Sequence, residues 1–473
     1  MTAANQTPAG RPRVPSHLAG QQPGKHARSA PPRNAAERAA RLQAARRRGR
    51  QRLAVIVLAC GAVTFLIVSL AGSATPARKK DAAATLGAPH TSVLVSPHLT
   101  SSLASSFVVP GKPLALPFPG TGEGAVLVDG IGLVAASEDE RSVPVASVTK
   151  IMTAYLVLKD HPLTGKSGGP VFTMTSADHD AWIEASMQDE SNIEVKAGER
   201  LDERQLLQAL MIPSADNIAD YLAAWDAGSI KAFVAKMNAT AAAMHLTGTH
   251  FADASGVNPG SRGTAIDMAR LAAAAFSNPV LQSIIDEQFI RLPVSGEIWN
   301  NYDPAVDVDG IIGGKSGFTD AAQTNLVTAA WRTVARHRVL VICDVINQPN
   351  SLSGDAEEDE SLLNAVTGEL RLARIMPRQA SVGEATAAWN HGTSFLRLDA
   401  PVAVVAWPGL VLRPAVAAVP TAASAARHGW PAGCTIGTFE LDYPDGPALS
   451  APVVLQTAIG PPPAGWAPPG NLR

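Results

Sequence analysis

Cysteine is scarce in this 473-residue chain: only Cys60, Cys343 and Cys434 occur, which excludes a disulfide framework and a cysteine-ligated metal site. Cys343 lies in an apolar run and reads as packing. Histidine supplies no alternative metal site, because His179 and His245 lack HExxH or any paired-ligand spacing and read as structural or surface residues. No metal and no cofactor is expected. Net charge is almost absent as well, with 39 Lys and Arg against 41 Asp and Glu, which argues against a nucleic-acid partner. Acid is nearly missing from residues 1–52: beside the single Glu37 they carry Arg46, Arg47, Arg48, Arg50 and Arg52, so the remainder of the chain is acidic.

Long uncharged runs are equally few. Leu53 to Gly72, LAVIVLACGAVTFLIVSLAG, has the length and apolarity to cross a bilayer. The arginines before it outweigh Arg78, Lys79 and Lys80 after it, so the positive-inside rule predicts a single-pass protein with a cytoplasmic N-terminus and an extracytoplasmic body. A cleaved signal peptide, cut among Ala71 to Ala74, is the competing reading. A basic region of some fifty residues is long for one, which favours the uncleaved anchor. The predicted organisation is a disordered basic tail over 1–52, a transmembrane helix over 53–72, and a Pro/Ser/Ala-rich spacer over 73–118. A catalytic domain over 119–376 and a small β-rich domain over 377–473 follow.

What is present begins with Ser147-Val148-Thr149-Lys150. On a helix, positions i and i+3 share a face, so the Lys150 amine can reach the Ser147 hydroxyl. A desolvated lysine can take that proton as a general base. A solvated lysine on a helix capped by Ser147 fits the same four residues. Upstream, Ala125 to Val128 and Leu133 to Ala136 flank the turn pair Asp129-Gly130 as a hairpin. A helix is expected from near Ser147, with its N-terminal dipole available to negative charge on oxygen.

Leu206, Leu207, Leu210 and Met211 form one helical face that stops at Pro213, and Ile218 to Trp225 begin another. Ser214-Ala215-Asp216-Asn217 occupies the junction, where Ser, Asp and Asn are preferred helix caps. Capping and a second role as hydroxyl relay and amide contact are compatible. Further on, Gly310 to Gly314 lead into Lys315-Ser316-Gly317-Phe318. A cation, a hydroxyl and an unobstructed backbone on an edge strand would receive a carboxylate, whereas a glycine-rich turn with a solvated lysine is the plainer reading. Thr324 to Trp331 and Val339 to Ile346 read as two further antiparallel strands, and 358–375 as a closing helix. Trp299, Asn300 and Asn301 could line a cleft or serve packing and a turn.

The order Ser-x-x-Lys, Ser-x-(x)-Asn, Lys-[Ser/Thr]-Gly resembles the penicillin-binding protein and serine β-lactamase superfamily. The flanks Pro144 to Ala154, Phe251 to Gly256, Thr264 to Ala269 and Lys315 to Ala322 are similar to the low-molecular-weight D-alanyl-D-alanine carboxypeptidases of the DacA type, serine peptidase family S11. The resemblance covers about residues 120–376. It implies an α/β (α+β) fold: an antiparallel sheet with a helical subdomain, joined here to a small C-terminal β domain and an N-terminal transmembrane helix. It also implies that Ser147 attacks the penultimate D-alanine carbonyl, that Lys150 is the general base, and that Ser214 relays a proton to the leaving D-alanine. Lys315 and Ser316, with Gly317 beside them, would hold the substrate carboxylate. The N–H groups of Ser147 and Phe318 would form the oxyanion hole. The partners implied are a peptidoglycan stem peptide ending in D-Ala-D-Ala and β-lactams as inhibitors; the apolar run 53–72, read by itself, adds the lipid bilayer.

The chain departs from the family pattern at three places. Asp216 stands third in the Ser-Gly-Asn motif and Asn217 fourth, and an ionised carboxylate cannot donate as an amide does. Either Asn217 fills the amide's role through a shifted turn, or the site is weakened. Ser316 replaces the usual threonine and keeps its hydroxyl. Gln323 stands where glycine is common. The alternatives to a carboxypeptidase are a D,D-endopeptidase or β-lactamase of the same fold, or a catalytically weakened wall-binding homologue.

Overall fold

In this computed structural model the described residues are 94–95, 97–138, 140–291, 296, 298–419, 421–422, 428–446 and 448–466. The basic tail, the expected membrane span and most of the spacer lie outside them. No helix among the described residues is long and apolar enough to cross a membrane.

The end of the expected spacer is folded. Strands β1 (His98–Ser101) and β2 (Phe107–Val108) belong to the C-terminal sheet. Their Ser- and Thr-rich composition reads as a linker, and only partners some 300 residues away make them strands. The catalytic sheet comprises β3 (Glu123–Val128), β4 (Gly132–Ala136), β5 (Ile311–Thr319), β6 (Gln323–Val334) and β7 (His337–Gln348), in the order β5-β6-β7-β3-β4. Every pairing is antiparallel, and β5 is an edge strand.

Successive strand residues face opposite sides, and β7 shows how both sides are used. Leu340, Ile342 and Ile346 join the core beneath the helices, whereas Val341, Cys343 and Val345 join a second core. That second core continues into the C-terminal sheet, β1-β8-β9-β12-β11-β10-β2, built with β8 (Ser381–Ala387), β9 (Asn390–Leu398), β10 (Val411–Ala418), β11 (Thr435–Asp442) and β12 (Leu449–Leu455).

The helical side holds α1 (Lys150–Asp160), α2 (Ser176–Met187), α3 (Glu203–Met211), α4 (Asp216–Ala227), α5 (Ile230–Ala243), α6 (Ala265–Phe276) and α7 (Pro279–Ile285). α8 (Leu352–Glu369) contributes Leu362, Leu363 and Val366 to the second core. Most of α1 is buried on every side, from Lys150 through Leu158 with only Tyr155 part-exposed, as expected of a helix threaded through a core. Each fully buried apolar side chain there contributes about 1.5–3 kcal/mol. Sequence-encoded caps set the helix starts: Thr175 and Asp178 form one capping box, and Asp202 with Gln205 another. α1 and α4 are the exceptions: neither has a side-chain cap. The N-cap of α4 is Ala215, so the expected capping role of the Ser214-Asn217 junction is not performed.

Candidate active site

Ser147 sits in a 3-10 turn, Ala146–Thr149, that runs directly into α1. The expected α-helical start thus lies three residues later, and Lys150 is its first residue. The turn is held from behind by the Phe251–Gly256 segment. A Cβ on Gly256, at φ 91°, would lie 1.8 Å from the Ala146 carbonyl oxygen, so only glycine permits this approach. Asp253 shapes that segment by accepting from Gly256 N at 2.9 Å and Asn258 N at 2.7 Å. Thr153 Oγ1 donates to the Ala254 carbonyl at 2.7 Å.

Lys150 has no exposed surface. Its Nζ donates to Ser147 Oγ at 2.7 Å, to Asp216 Oδ1 at 2.5 Å and to the Ser255 carbonyl at 2.9 Å. Burial raises the Asp216 carboxyl, opposed by the ammonium of Lys150 and, more weakly, that of Lys315. Ser214 precedes Asp216 at φ 62°, a left-handed conformation that is uncommon for serine. Its buried Oγ has no hydrogen-bond partner in the protein and borders the cleft.

The facing wall is β5. Lys315 is 1% exposed, and its Nζ donates to the Ser316 carbonyl at 2.7 Å. Burial pushes its pKa well below the usual lysine range, helped by Lys150 and opposed by Asp216 and Asp303. Ser316 is buried at the cleft floor, and Phe318 projects 59% exposed at its mouth. Gly317 allows β5 to close on the nucleophile: a Cβ there would lie 2.8 Å from Ser147 N. Ser147, Ser214, Asp216, Ser316, Gly317 and Phe318 all border one cleft of about 540 Å³.

Asn217 is the candidate that the fold removes from this cleft. Its Oδ1 accepts from Ile193 N at 3.3 Å and its Nδ2 donates to the Ile193 carbonyl at 3.0 Å. It borders a neighbouring cavity with Met174 and Tyr221. The shifted turn that would bring Asn217 to the cleft is not seen, since α4 begins at Asp216 and turns the next side chain about 100° away. Asn301 serves a turn, donating to the Ile285 and Glu287 carbonyls at 3.1 Å. His179 bonds the Val195 carbonyl through Nδ1 at 2.8 Å. Among the described residues no group of His, Cys, Asp and Glu is arranged to hold a metal ion.

Two features of the cleft escape sequence reasoning. Glu190 and Asp189 line it from the loop after α2, a polar stretch with no motif to mark it. The Ser255 carbonyl meets Lys150, a backbone contact that no side-chain pattern encodes. Gln323, in place of the family's glycine, has φ 58°. The left-handed turn that glycine would favour is thus kept, with the amide Nε2 donating to the Asp320 carbonyl at 2.6 Å.

The family model for D-alanyl-D-alanine carboxypeptidases, peptidase family S11, matches residues 121–349. D-alanyl-D-alanine carboxypeptidase DacB2 of Mycobacterium tuberculosis is 35% identical over 209 residues, 42% of this chain and 67% of that relative. The chain belongs to the D-alanyl-D-alanine carboxypeptidase family. DacD of Escherichia coli K12 is 29% identical over 299 residues, 60% of this carboxypeptidase and 72% of the relative. Penicillin binding protein 5 from Haemophilus influenzae shares the fold with a TM-score of 0.54 at 19% identity, over 73% of this chain and 99% of that one. Membership makes this chain a serine-type carboxypeptidase, a hydrolase, with the mixed α/β fold of the penicillin-binding proteins.

Proposed function

We propose that this carboxypeptidase removes the terminal D-alanine from peptidoglycan stem peptides through an acyl-enzyme on Ser147. The observation that carries this reading is the 2.7 Å contact between the fully buried Lys150 Nζ and Ser147 Oγ. In support of it, the buried amine lies against a hydroxyl that opens to a cleft. Lys150, as the amine, takes the Ser147 proton while Oγ bonds to the carbonyl carbon of the penultimate residue. The oxyanion that forms is held by the backbone N–H groups of Ser147 and Phe318, each typically contributing about 3–4 kcal/mol to the barrier. Ser214 Oγ, without a protein partner, passes the proton to the departing amine. Lys315 and Ser316 bind the substrate carboxylate, and water then releases the shortened peptide. β-Lactams acylate the same serine.

The chain is held at the cell membrane by the span 53–72, with its N-terminus in the cytoplasm and the catalytic domain outside. The supports for this placement are the apolar run and the arginine cluster before it. Mature protein beginning near Ala74 would contradict the anchor.

The test is a labelled penicillin incubated with the full chain. Mass spectrometry should find the adduct on the peptide bearing Ser147 and none in a Ser147→Ala variant. An unlabelled wild-type chain sinks the acyl-enzyme reading. Faster D-alanine release from a pentapeptide than cleavage of a crosslinked dimer is the expected preference; the reverse would make the enzyme an endopeptidase.

A further inference from the structure

The lysine that must act as a base is surrounded by three acceptors. An ammonium has three donors and no acceptor, and Lys150 spends all three on Ser147 Oγ, Asp216 Oδ1 and the Ser255 carbonyl. A lone pair must face Ser147 Oγ before that hydroxyl can be deprotonated, so one proton has to leave Nζ first. A carbonyl oxygen is too weak a base to keep it. The carboxylate oxygen 2.5 Å away is not.

We propose that Asp216 is a proton gate on Lys150: the ionised carboxylate locks the lysine as an ammonium, and Lys150 serves Ser147 only once its proton has passed to Asp216 or to solvent. The step balances within the pair. Ammonium and carboxylate become amine and carboxylic acid. The amine then takes the Ser147 proton as Oγ bonds to the acyl carbon, and that proton leaves with the departing amine by way of Ser214. After deacylation the acid returns its proton to the amine and the ion pair re-forms. The inference rests on the acyl-enzyme reading above and adds the pH range over which it runs.

The surroundings allow both states of the pair. Asp216 is faced by Lys150 from α1, Lys315 from β5 and Asp253 from the loop behind the turn; Glu190 from the loop after α2 and Asp220 on its own helix are also within range. Burial favours the neutral pair, the two ammoniums favour the carboxylate, and the three other acids oppose it. An amide, which the family resemblance places here, could neither take the proton nor lock the lysine. Asp216 is thus a positioning and proton-holding residue, not the substrate-binding residue that its motif position suggests.

The test is the pH dependence of Ser147 acylation by a fluorescent penicillin, measured on the full chain from about pH 5 to about pH 10. Wild type should rise with pH. Removing an opposite charge beside a lysine favours the amine, so Asp216→Asn should move the rising limb to lower pH. Asp216→Glu should retain the wild-type limb. The limb's position is the readout, because an amide at 216 also changes contacts to the ligand and hence the limb's height. An Asp216→Asn limb superimposed on wild type overturns the gate and leaves the acyl-enzyme reading intact. Loss of acylation at every pH in a folded Asp216→Asn chain also overturns it. A wild-type chain with no Ser147 adduct at any pH removes both.

Discussion

Gly317 and Ser147 meet so closely that a Cβ at 317 would lie 2.8 Å from the Ser147 nitrogen and 3.1 Å from the Ala146 Cβ. The edge strand and the nucleophilic turn are thereby one surface, although 170 residues separate them in the chain. Gly317→Ala should push β5 off the turn. Acylation of Ser147 by a labelled penicillin is expected to fall about a hundredfold, the usual cost of displacing reacting groups by about an ångström. The overpacking should cost about 1–3 kcal/mol in thermal unfolding. Wild-type acylation in this variant would show that the strand yields without disturbing the oxyanion site.

Asn217 predicts a different pattern. Its amide clasps both backbone groups of Ile193, tying α4 to the stretch just after the cleft wall at Asp189 and Glu190. Asn217→Ala leaves the Ile193 N–H and carbonyl without this partner, which should destabilise the chain by about 1–3 kcal/mol. Hydrogen exchange should rise locally over residues 188–195. Acylation should change far less than in Gly317→Ala, because Asn217 is absent from the cleft. A hundredfold loss of acylation with unchanged stability would instead place the residue at the substrate.

How far the site could be read from the sequence follows from the range of each interaction. Ser147 and Lys150 are three residues apart, so helical geometry alone pairs them. That Lys315 lies in an antiparallel sheet follows from the two apolar runs after it, Thr324 to Trp331 and Val339 to Ile346. Which of Asp216 and Asn217 faces the cleft is not legible, because the register of a helix start depends on which residue is its N-cap, and Ala215, which cannot cap with its side chain, gives no local signal. The Asp216 contact to Lys150 spans 66 residues, and β1 pairs with β8 across some 285. Neither leaves a mark on composition or periodicity. The β-rich character of the C-terminal region is legible in the sequence, whereas the strand Arg371–Met376, which falls inside the helix expected over 358–375, and the order of the sheet are not.

Glu203 offers a stability test away from the cleft. It is fully buried at the start of α3, and neither carboxylate oxygen has a hydrogen-bond partner. Burial, reinforced by Asp202 and opposed by Arg204, raises its pKa from 4.5 to about 7. With the folded-state value above the unfolded one, the protonated side chain stabilises the fold fully below about pH 4.5, and that contribution is lost as pH rises through about 7. Glu203→Gln keeps the shape without the charge. Its Tm should match wild type near pH 4 and exceed it near pH 8. Parallel Tm curves across that interval would mean that the carboxylate is solvated in the folded chain.

The strands at 98–108 make the C-terminal sheet depend on chain that precedes the catalytic sheet. β1 pairs with β8 from Thr386↔His98 to Gly383↔Ser101, and β2 pairs with β10 through Val411↔Val108. The approach is close: a Cβ on Gly383 would lie 2.1 Å from the Thr100 carbonyl oxygen. Val109, just beyond β2, is buried in the second core. A chain beginning at Leu94 keeps all of this, whereas one beginning at Gly111 strips both edges of the seven-stranded sheet. Bare edges present unpaired N–H and carbonyl groups to other chains, and the loss of Val109 alone removes about 1.5–3 kcal/mol of burial. The shorter chain should therefore self-associate in size-exclusion chromatography and lose hydrogen-exchange protection over β8 and β10. Ser147 should still be acylated, because no cleft residue lies in the deleted segment. Monomeric behaviour with full protection of β8 would show that β1 and β2 decorate the sheet without completing it.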